Sequence, residues 1–405
     1  MQLSRHYVNL FTLLIMVPGS VIGQISIVRF NEALFFQYYV SAPFLCIAPD
    51  ARSAGTGFSG VATSPDVNSQ HWNAAKYAFI EHKSMASLNY AYVPMESTII
   101  QGMNLGYLSG CFLLDERNTL SGSFRYFSLG KLMDMNSWVM TAPYYQYEFA
   151  VDAGYSRRIT DHFSGGIVVR FIHSDLVDGW NVDGSLEHPG HSVAGDLGLY
   201  YQNDFITGEN SNILAFGLNL SNVGTPISYF EEEHNDHKSP IPTNIRIGGR
   251  ITFNMNPQNS ISFHVDADKY LVPTYPKYRK DPVTDEYVLY GKELPESVLR
   301  GMIQSFYDAP GYVTEDGTRI VYLEELHEIR YTGGIEYWLN DKYALRTGYY
   351  FEHVSKGDRR FLTLGCGARF QNYRADLSYL IPSGWKDSPE FITFRVSVEI
   401  NFDTI

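Results

Sequence analysis

The feature that most constrains this chain is an alternation with a period of two residues, renewed again and again from residue 84 to residue 402. In the last stretch Phe394, Val396, Val398, Ile400 and Phe402 share one face, while Arg395, Ser397, Glu399 and Asn401 share the other. Ile245, Ile247, Gly249, Ile251 and Phe253 oppose Asn244, Arg246, Gly248, Arg250 and Thr252 in the same way. So do Phe149, Val151, Ala153 and Tyr155 against Ala150, Asp152, Gly154 and Ser156. Successive strand side chains point to opposite faces, so each such stretch is a strand with one apolar and one polar side. The pattern predicts fourteen strands, near 84–93, 101–114, 118–131, 147–160, 162–176, 191–203, 211–223, 242–255, 259–272, 325–340, 342–353, 359–371, 373–383 and 393–402. Most reach the ~9–11 residues that a tilted strand needs to cross a bilayer.

Alternation alone also fits a soluble β-sandwich, and the connections decide between the two. Short links at 115–118, 161, 204–210, 256–258, 341 and 372 tend to alternate with long ones such as 131–147, 176–191, 224–242 and 272–325. An even-stranded outer-membrane barrel has short inner turns and long outer loops in that order, whereas a sandwich has no reason to. Both termini then fall on the inner side, and Phe402 closes the last strand with an aromatic. Charges of both signs sit mid-strand on the polar faces: Arg125, Asp152, Arg170, Asp196, Arg250, Asp266, Asp268, Glu336, Arg346, Asp376 and Arg395. Mixed signs suit a plugged, cross-braced lumen better than an ion-selective pore. The composition agrees, with 15% aromatic residues and a mean hydropathy of −0.18. No later apolar run approaches the ~20 residues of a membrane helix. The expected fold is all-β, a fourteen-stranded antiparallel transmembrane β-barrel in the bacterial outer membrane.

The N-terminus reads as a signal peptide over 1–23: Arg5, then an apolar stretch from Val8 to Val17, then Ser20, Val21 and Gly23 as a small-residue exit. Residues 24–40 are mixed and receive no assignment. Residues 42–79 are unlike everything after them, rich in Gly, Ala, Ser, Asp and Asn, with neither period. They are expected to form a hatch inside the barrel. The division is therefore 1–23 signal peptide, 24–83 N-terminal segment and hatch, and 84–405 barrel. The loop at about 273–324 carries Pro295 to Phe306, with Val298, Leu299, Met302, Ile303 and Phe306 at helical spacing. Pro295 suits a first helical turn. This amphipathic helix either packs down on the loops or meets a partner.

Chemistry is harder to find. The net charge of −13 comes with no basic cluster, so nucleic acid is not expected. Cys46, Cys111 and Cys366 form no C-x-x-C pair and indicate neither zinc nor a disulfide framework. His173, Ser174 and Asp175 are adjacent and cannot assemble as a triad, since strand neighbours face opposite ways. His188 with His191, and His234 with His237, lack a defined third ligand. His264, Asp266 and Asp268 share a strand face and read as lumen bracing. The run Gly55–Gly60 opens no strand-to-helix phosphate loop, and Ser59 and Ser64 sit in no nucleophile elbow. No catalytic residue, cofactor or metal is assigned. Candidate hatch positions are Pro43, Asp50, Arg52, Gly55, Gly57, Gly60, Asp66, Trp72 and Asn73. The aromatics Trp138, Tyr144, Tyr145, Trp180, Tyr229 and Phe230, with Leu299, Met302 and Phe306, form either an interfacial belt or a partner-binding rim.

The stretch APFLCIAPDARSAGTGFSGVATSPDVNSQHWNAAKYAF (42–79) resembles the PorV family, outer-membrane components of the type IX secretion system of Bacteroidota. Further matches run in order: NLGYLSG (104–110), SGSFRYFSLG (121–130), AVDAGYSRRI (150–159), RFIHSDL (170–176), LGLYYQND (197–204), LNLSNVGTPISY (218–229), PTNIRIGG (242–249), SFYDAPG (305–311), GIEYWLNDKYALRTGYYFEH (334–353) and YLIPSG (379–384). Ala74 stands where the family pattern has Pro, and the loop after Leu271 is longer than usual. The resemblance implies a FadL-like barrel with an N-terminal hatch, acting as a shuttle. Such a protein collects cargo by its C-terminal signal domain from the SprA (Sov) translocon. It passes the cargo to the PorU peptidase, which, with PorQ and PorZ, attaches it to surface lipopolysaccharide. The alternatives are a FadL-like transporter of hydrophobic small molecules, and an outer-membrane enzyme such as a lipid A deacylase, which would need a Ser–His pair on one face.

Overall fold

The computed structural model describes residues 40–92, 100–132, 144–176, 181–182, 185–186, 188–229, 238–280, 287–313, 318–383 and 394–403. The expected signal peptide lies outside them. Fourteen strands close into a single antiparallel barrel in which each strand pairs with its neighbours in sequence. They are β1 (Ser84–Tyr92), β2 (Asn104–Leu113), β3 (Asn118–Leu132), β4 (Tyr144–Arg158) and β5 (Phe163–Asp175). Then come β6 (Gly190–Thr207), β7 (Asn210–Gly224), β8 (Asn244–Asn256), β9 (Asn259–Tyr270) and β10 (Arg330–Leu339). The ring ends with β11 (Tyr343–Phe351), β12 (Arg360–Phe370), β13 (Tyr373–Pro382) and β14 (Phe394–Asn401). β14 pairs back onto β1, from Met85 opposite Asn401 to Tyr92 opposite Phe394, so no strand edge is left open.

The wall is turned inside out relative to a soluble protein. Leu88, Val169, Ile247, Val265 and Leu345 are exposed on the outer face. Every one of the eleven mid-strand charges named above is buried on the inner face. That arrangement is stable when the outer face meets lipid. Tyr92, Tyr126, Tyr331, Tyr349 and Tyr379 ring the long-loop end, and Phe253, Tyr343, Phe370, Tyr373 and Phe402 ring the other. These are the two aromatic girdles of a bilayer-spanning barrel. No helix among the described residues is long and apolar enough to cross a membrane.

One strand boundary differs from expectation. The tenth strand was expected from 325, but residues Val321–His327 form a helix and β10 starts at Arg330. The run VYLEELH holds Leu and Glu, which favour helix, and its β-like alternation begins only after it.

Residues 40–80 lie within the barrel. Pro43–Cys46 form a 3-10 turn, α1 spans Ala51–Gly55, α2 spans Ser69–Trp72, and a second 3-10 turn spans Ala74–Phe79. The sequence pattern expects both ends of the chain on the short-turn side. Ser84 and Asp403 do meet there, with Lys83 N donating to Asp403 Oδ1 at 2.7 Å. Residue 40, however, sits at the opposite end. Ser41 N donates to Pro240 O of a long loop at 2.9 Å, and Val40 and Cys46 pack on Tyr270 and Val272. The segment therefore descends the lumen from the long-loop end to the short-turn end before β1 begins.

Its backbone runs so close to the wall that glycine is required on both sides. Gly57 has φ 72°, and its N–H donates to Thr363 Oγ1 of β12 at 2.9 Å. A Cβ on Gly348 of β11 would stand 2.2 Å from Gly57 N, and one on Gly334 of β10 would stand 2.4 Å from Thr56 O. By contrast, a Cβ on Gly249 would meet nothing nearer than 3.5 Å. Gly348→Ala is therefore expected to lower stability by about 1–3 kcal/mol through overpacking, and Gly249→Ala to leave it nearly unchanged. Thermal unfolding of the two variants in detergent, side by side with the parent, checks this; equal midpoints would show that the close approach is dispensable.

Candidate functional site

Two places bring polar and apolar side chains together in a purposeful way, the packed lumen and the loop above β9 and β10. In the lumen, α1 starts at Asp50, which accepts from Ser53 N at 2.8 Å and from Trp72 Nε1 at 2.7 Å. That cap sets the helix so that Arg52 faces both its own segment and the wall. Arg52 pairs with Asp66 at 2.7 Å and with Glu336 of β10 at 2.8 Å. Glu336 also holds Arg346 at 2.6 Å, Arg346 holds Asp376 at 2.7 Å, and Asp376 holds Arg374 at 2.8 Å. Arg374 ends the chain on Glu399 at 2.8 Å. On the other side of the barrel Arg170 joins Asp152 and Asp196.

Wall side chains also satisfy the inner segment's backbone. Asp266 accepts from Gly60 N and Val61 N at 2.7 and 3.0 Å. Arg125 donates to the carbonyls of Phe44 and Leu45, and Asn68 Oδ1 accepts from Ser87, Asn89 and Ser109. The nine candidate hatch residues are all buried in this arrangement. Above α1 the packing is apolar, with Phe44 stacked on Phe127 at 6.3 Å. A chamber there leaves about 90 Å³ open to the centres of water molecules, between Phe44, Ile47, Phe58, Met103 and the guanidinium groups of Arg246 and Arg330.

The second place is a crown on the long loop after β9. Helix α3 (Val298–Gln304) is capped by Ser297, whose Oγ accepts from Arg300 N at 3.3 Å. Pro295 lies ahead of this cap, not in the first turn. Gly301 and Gln304 face the protein, and Gly301 rests against Pro273. Leu299, Ile303 and Phe306 are 66%, 65% and 53% exposed. Helix α4 (Val321–His327) repeats the inversion, with Tyr322 and Leu326 exposed and Glu324 and Glu325 buried.

Charge explains the inversion of α4. Lys269, at the end of β9, pairs with Glu325 at 3.1 Å and with Glu328. Lys356, in the loop after β11, pairs with Glu324 at 2.9 Å and Glu328 at 2.8 Å. With these carboxylates drawn down to the lysines, the apolar face has nowhere to go but out. None of this cluster was singled out from sequence, although Glu324, Glu325 and Glu328 fall on one helix face by spacing alone.

The expected rim is only partly assembled. Leu299, Met302 and Phe306 belong to the crown. Tyr229 is half-buried and turned inward, its Oη 2.8 Å from Ser174 Oγ. Tyr144 and Tyr145 open β4, and Trp138, Trp180 and Phe230 lie outside the described residues. Among the described residues no cluster of three or more His, Cys, Asp or Glu side chains could hold a metal ion.

The family model described as type IX secretion system protein PorV matches residues 37–277, more than half of the chain. The chain belongs to the PorV family. It is thus an outer-membrane barrel and a component of type IX secretion. No curated protein sequence matches it. Among solved structures it is similar to the P. putida toluene transporter TodX, with 11% identity, a TM-score of 0.49, and coverage of 88% of this chain and 99% of that one. A Pseudomonas aeruginosa FadL homologue gives 12% identity and a TM-score of 0.43, covering 90% of this chain and all of the other. Nothing about substrate follows from either.

The crown of this PorV-family barrel contains a group that titrates near neutrality. Asp308 is fully buried, accepts from Thr274 N at 3.1 Å, and has its other oxygen unpartnered. Burial pushes its carboxyl up from an ordinary 3.8 to about 7; the Thr274 N–H opposes the shift and the Glu325 and Glu328 charges add to it. A folded-state pKa above the unfolded one means the folded crown binds more protons, so stability is full below the ordinary pKa and is lost as pH rises through about 7. Hydrogen exchange over residues 305–310, corrected for intrinsic rates, should speed up between about pH 5 and pH 8. Asp308→Asn should flatten that dependence; a variant that keeps the parent's pH profile would remove Asp308 as its source.

Proposed function

We propose that the protein is a non-enzymatic carrier of the type IX secretion system. It takes secreted cargo by the C-terminal signal domain as the cargo leaves the SprA (Sov) translocon. It hands the cargo to the PorU-containing attachment complex, with PorQ and PorZ, for transfer to surface lipopolysaccharide. The observation that carries this reading is the crown: two short helices that turn Leu299, Ile303, Phe306, Tyr322 and Leu326 outward, the second of them with Glu324 and Glu325 held inward. An apolar patch of this kind above a membrane barrel has the character of a protein-binding surface. Residues 42–79 act as a hatch, so the barrel anchors and presents the crown without serving as a pore.

The test is direct. Leu299→Asp with Ile303→Asp changes two exposed side chains and should leave the barrel folded. Binding of a purified cargo C-terminal domain to the full-length protein in detergent should fall by about tenfold or more, as expected when central apolar contacts are lost. Binding equal to the parent's would sink the crown as the cargo site. For the hatch, deletion of residues 42–79 should turn a silent barrel into one that conducts ions in a planar bilayer.

A second reading, transport of hydrophobic small molecules, is favoured by the apolar chamber above α1. Uptake of long-chain fatty acids by cells carrying this protein alone would support it over the carrier.

A further inference from the structure

Two histidines that no sequence motif pairs meet on the outside of the wall. His173 on β5 and His191 on β6 are direct cross-strand partners. Both share the outward face with Val169, Phe171 and Val193, two residues or fewer from the long-loop end of their strands. Their Nδ1 atoms face each other 3.3 Å apart, with ring centroids 4.9 Å apart and planes inclined by 43°. Aromatic neighbours fix both rings. Phe149 stacks on His173 at 4.7 Å, and Phe171 stacks on His191 at 5.8 Å.

We infer that His173 and His191 form a two-imidazole site for a divalent transition-metal ion of the zinc class, at the outer bilayer boundary. The distance carries the choice of metal. With Zn–N bonds of ~2.0–2.1 Å, two ligands of a tetrahedral ion stand roughly 3.3–3.4 Å apart, the separation seen here. A right-angled pair on a square or octahedral ion would stand closer, at roughly 2.8–3.0 Å for the same bonds. Imidazole nitrogen suits zinc, and, with His191 exposed, solvent would supply the two remaining ligands. A second close histidine pair among the described residues makes an instructive contrast. His327 and His353 lie face to face, with centroids 3.5 Å apart and planes inclined by 9°. Nitrogen lone pairs lie in the ring plane, so parallel rings direct them along parallel planes and share no ion.

The ion would join β5 to β6 where the barrel gives way to the loop 176–189. It would stiffen the mouth from the lipid side, remote from the charge ladder in the lumen. Calorimetric titration of Zn²⁺ into the full-length protein tests this, with the protein in detergent, free of any histidine tag and stripped with chelator. The parent should bind one ion per chain. His173→Gln and His191→Gln should each weaken binding by about tenfold or more, because each removes one arm of the chelate, and His327→Gln should leave it unchanged. Circular dichroism of each variant establishes that the barrel is intact. No saturable binding to the parent would reduce the pair to a hydrogen bond between imidazoles. Binding retained in His191→Gln would place the ion elsewhere in the chain. Either result overturns the site.

Discussion

The charge ladder on one side of the lumen hinges on Arg52. A barrel of this width has an inward face too polar to leave dry and, once filled by protein, too buried to leave unpaired. Arg52 is where the filling and the wall become one charge system, with Asp66 of the inner segment on one side and Glu336 of β10 on the other. From Glu336 the charges alternate through Arg346, Asp376 and Arg374 to Glu399 on β14. Each member is tolerable only because its ladder partners are present. Taking one partner from a buried pair costs about 3–5 kcal/mol, whereas an exposed pair is worth about 0–1 kcal/mol. The ladder is thus a specificity device: few other placements of residues 40–80 would leave these carboxylates matched. The glycines at 57, 334 and 348 act in the same direction, since they let backbone meet backbone at distances that any side chain would forbid.

The same demand for paired buried charge shapes the crown. Lys269 stands at the end of β9 and Lys356 in the loop after β11, both with their ammonium groups covered. Three glutamates come down to them from α4 and the residue just beyond it. A helix of seven residues has two turns, so committing one side to the lysines commits Tyr322 and Leu326, four residues apart, to the opposite side. The apolar exterior of α4 is therefore a consequence of charge burial beneath it, and its cost is the retention of apolar surface in water. A partner that covered this surface would recover that cost, which gives the carrier reading a thermodynamic basis.

Much of the wall was legible because period-two alternation is a local signal that a whole strand repeats. The faces read from Phe149–Ser156 and Phe394–Asn401 are the faces observed, and thirteen of the strand positions sit within a few residues of where alternation places them. The tenth did not, because the expected strand took in residues 325–327, whereas the alternation begins only after them and the Leu and Glu residues of VYLEELH favour helix. The crown's charge cluster was illegible for a different reason: Lys269, Glu325 and Lys356 lie on a strand, a helix and a loop separated in sequence, and only the fold brings them together. The path of residues 40–47 was missed for want of any periodic signal. Alternating loop lengths fix where β1 starts, but say nothing of where the chain came from before it. Phe44 and Cys46 reach the long-loop end because Phe127, Tyr270 and Val272 offer apolar partners there.

That descent down the lumen bears on how such a barrel could be both closed and useful. A segment that entered and left at the same end could be withdrawn as a unit. This one is tied at the top by Ser41 to Pro240, in the middle by Arg52 and Gly57, and at the bottom by Ser156 and Ser164, which donate to Ala74 O and Ala75 O at 2.6 and 2.7 Å. Removing it would break all three levels together, at a cost far above thermal energy. A segment fastened along its whole length braces the wall, including the end of β9 that carries Lys269 and the end of β11 from which the loop to Lys356 starts. The crown then inherits a defined position from the lumen beneath it, as a docking surface requires of its support. If the crown docks a partner, the inner segment would contribute to that binding without touching the partner.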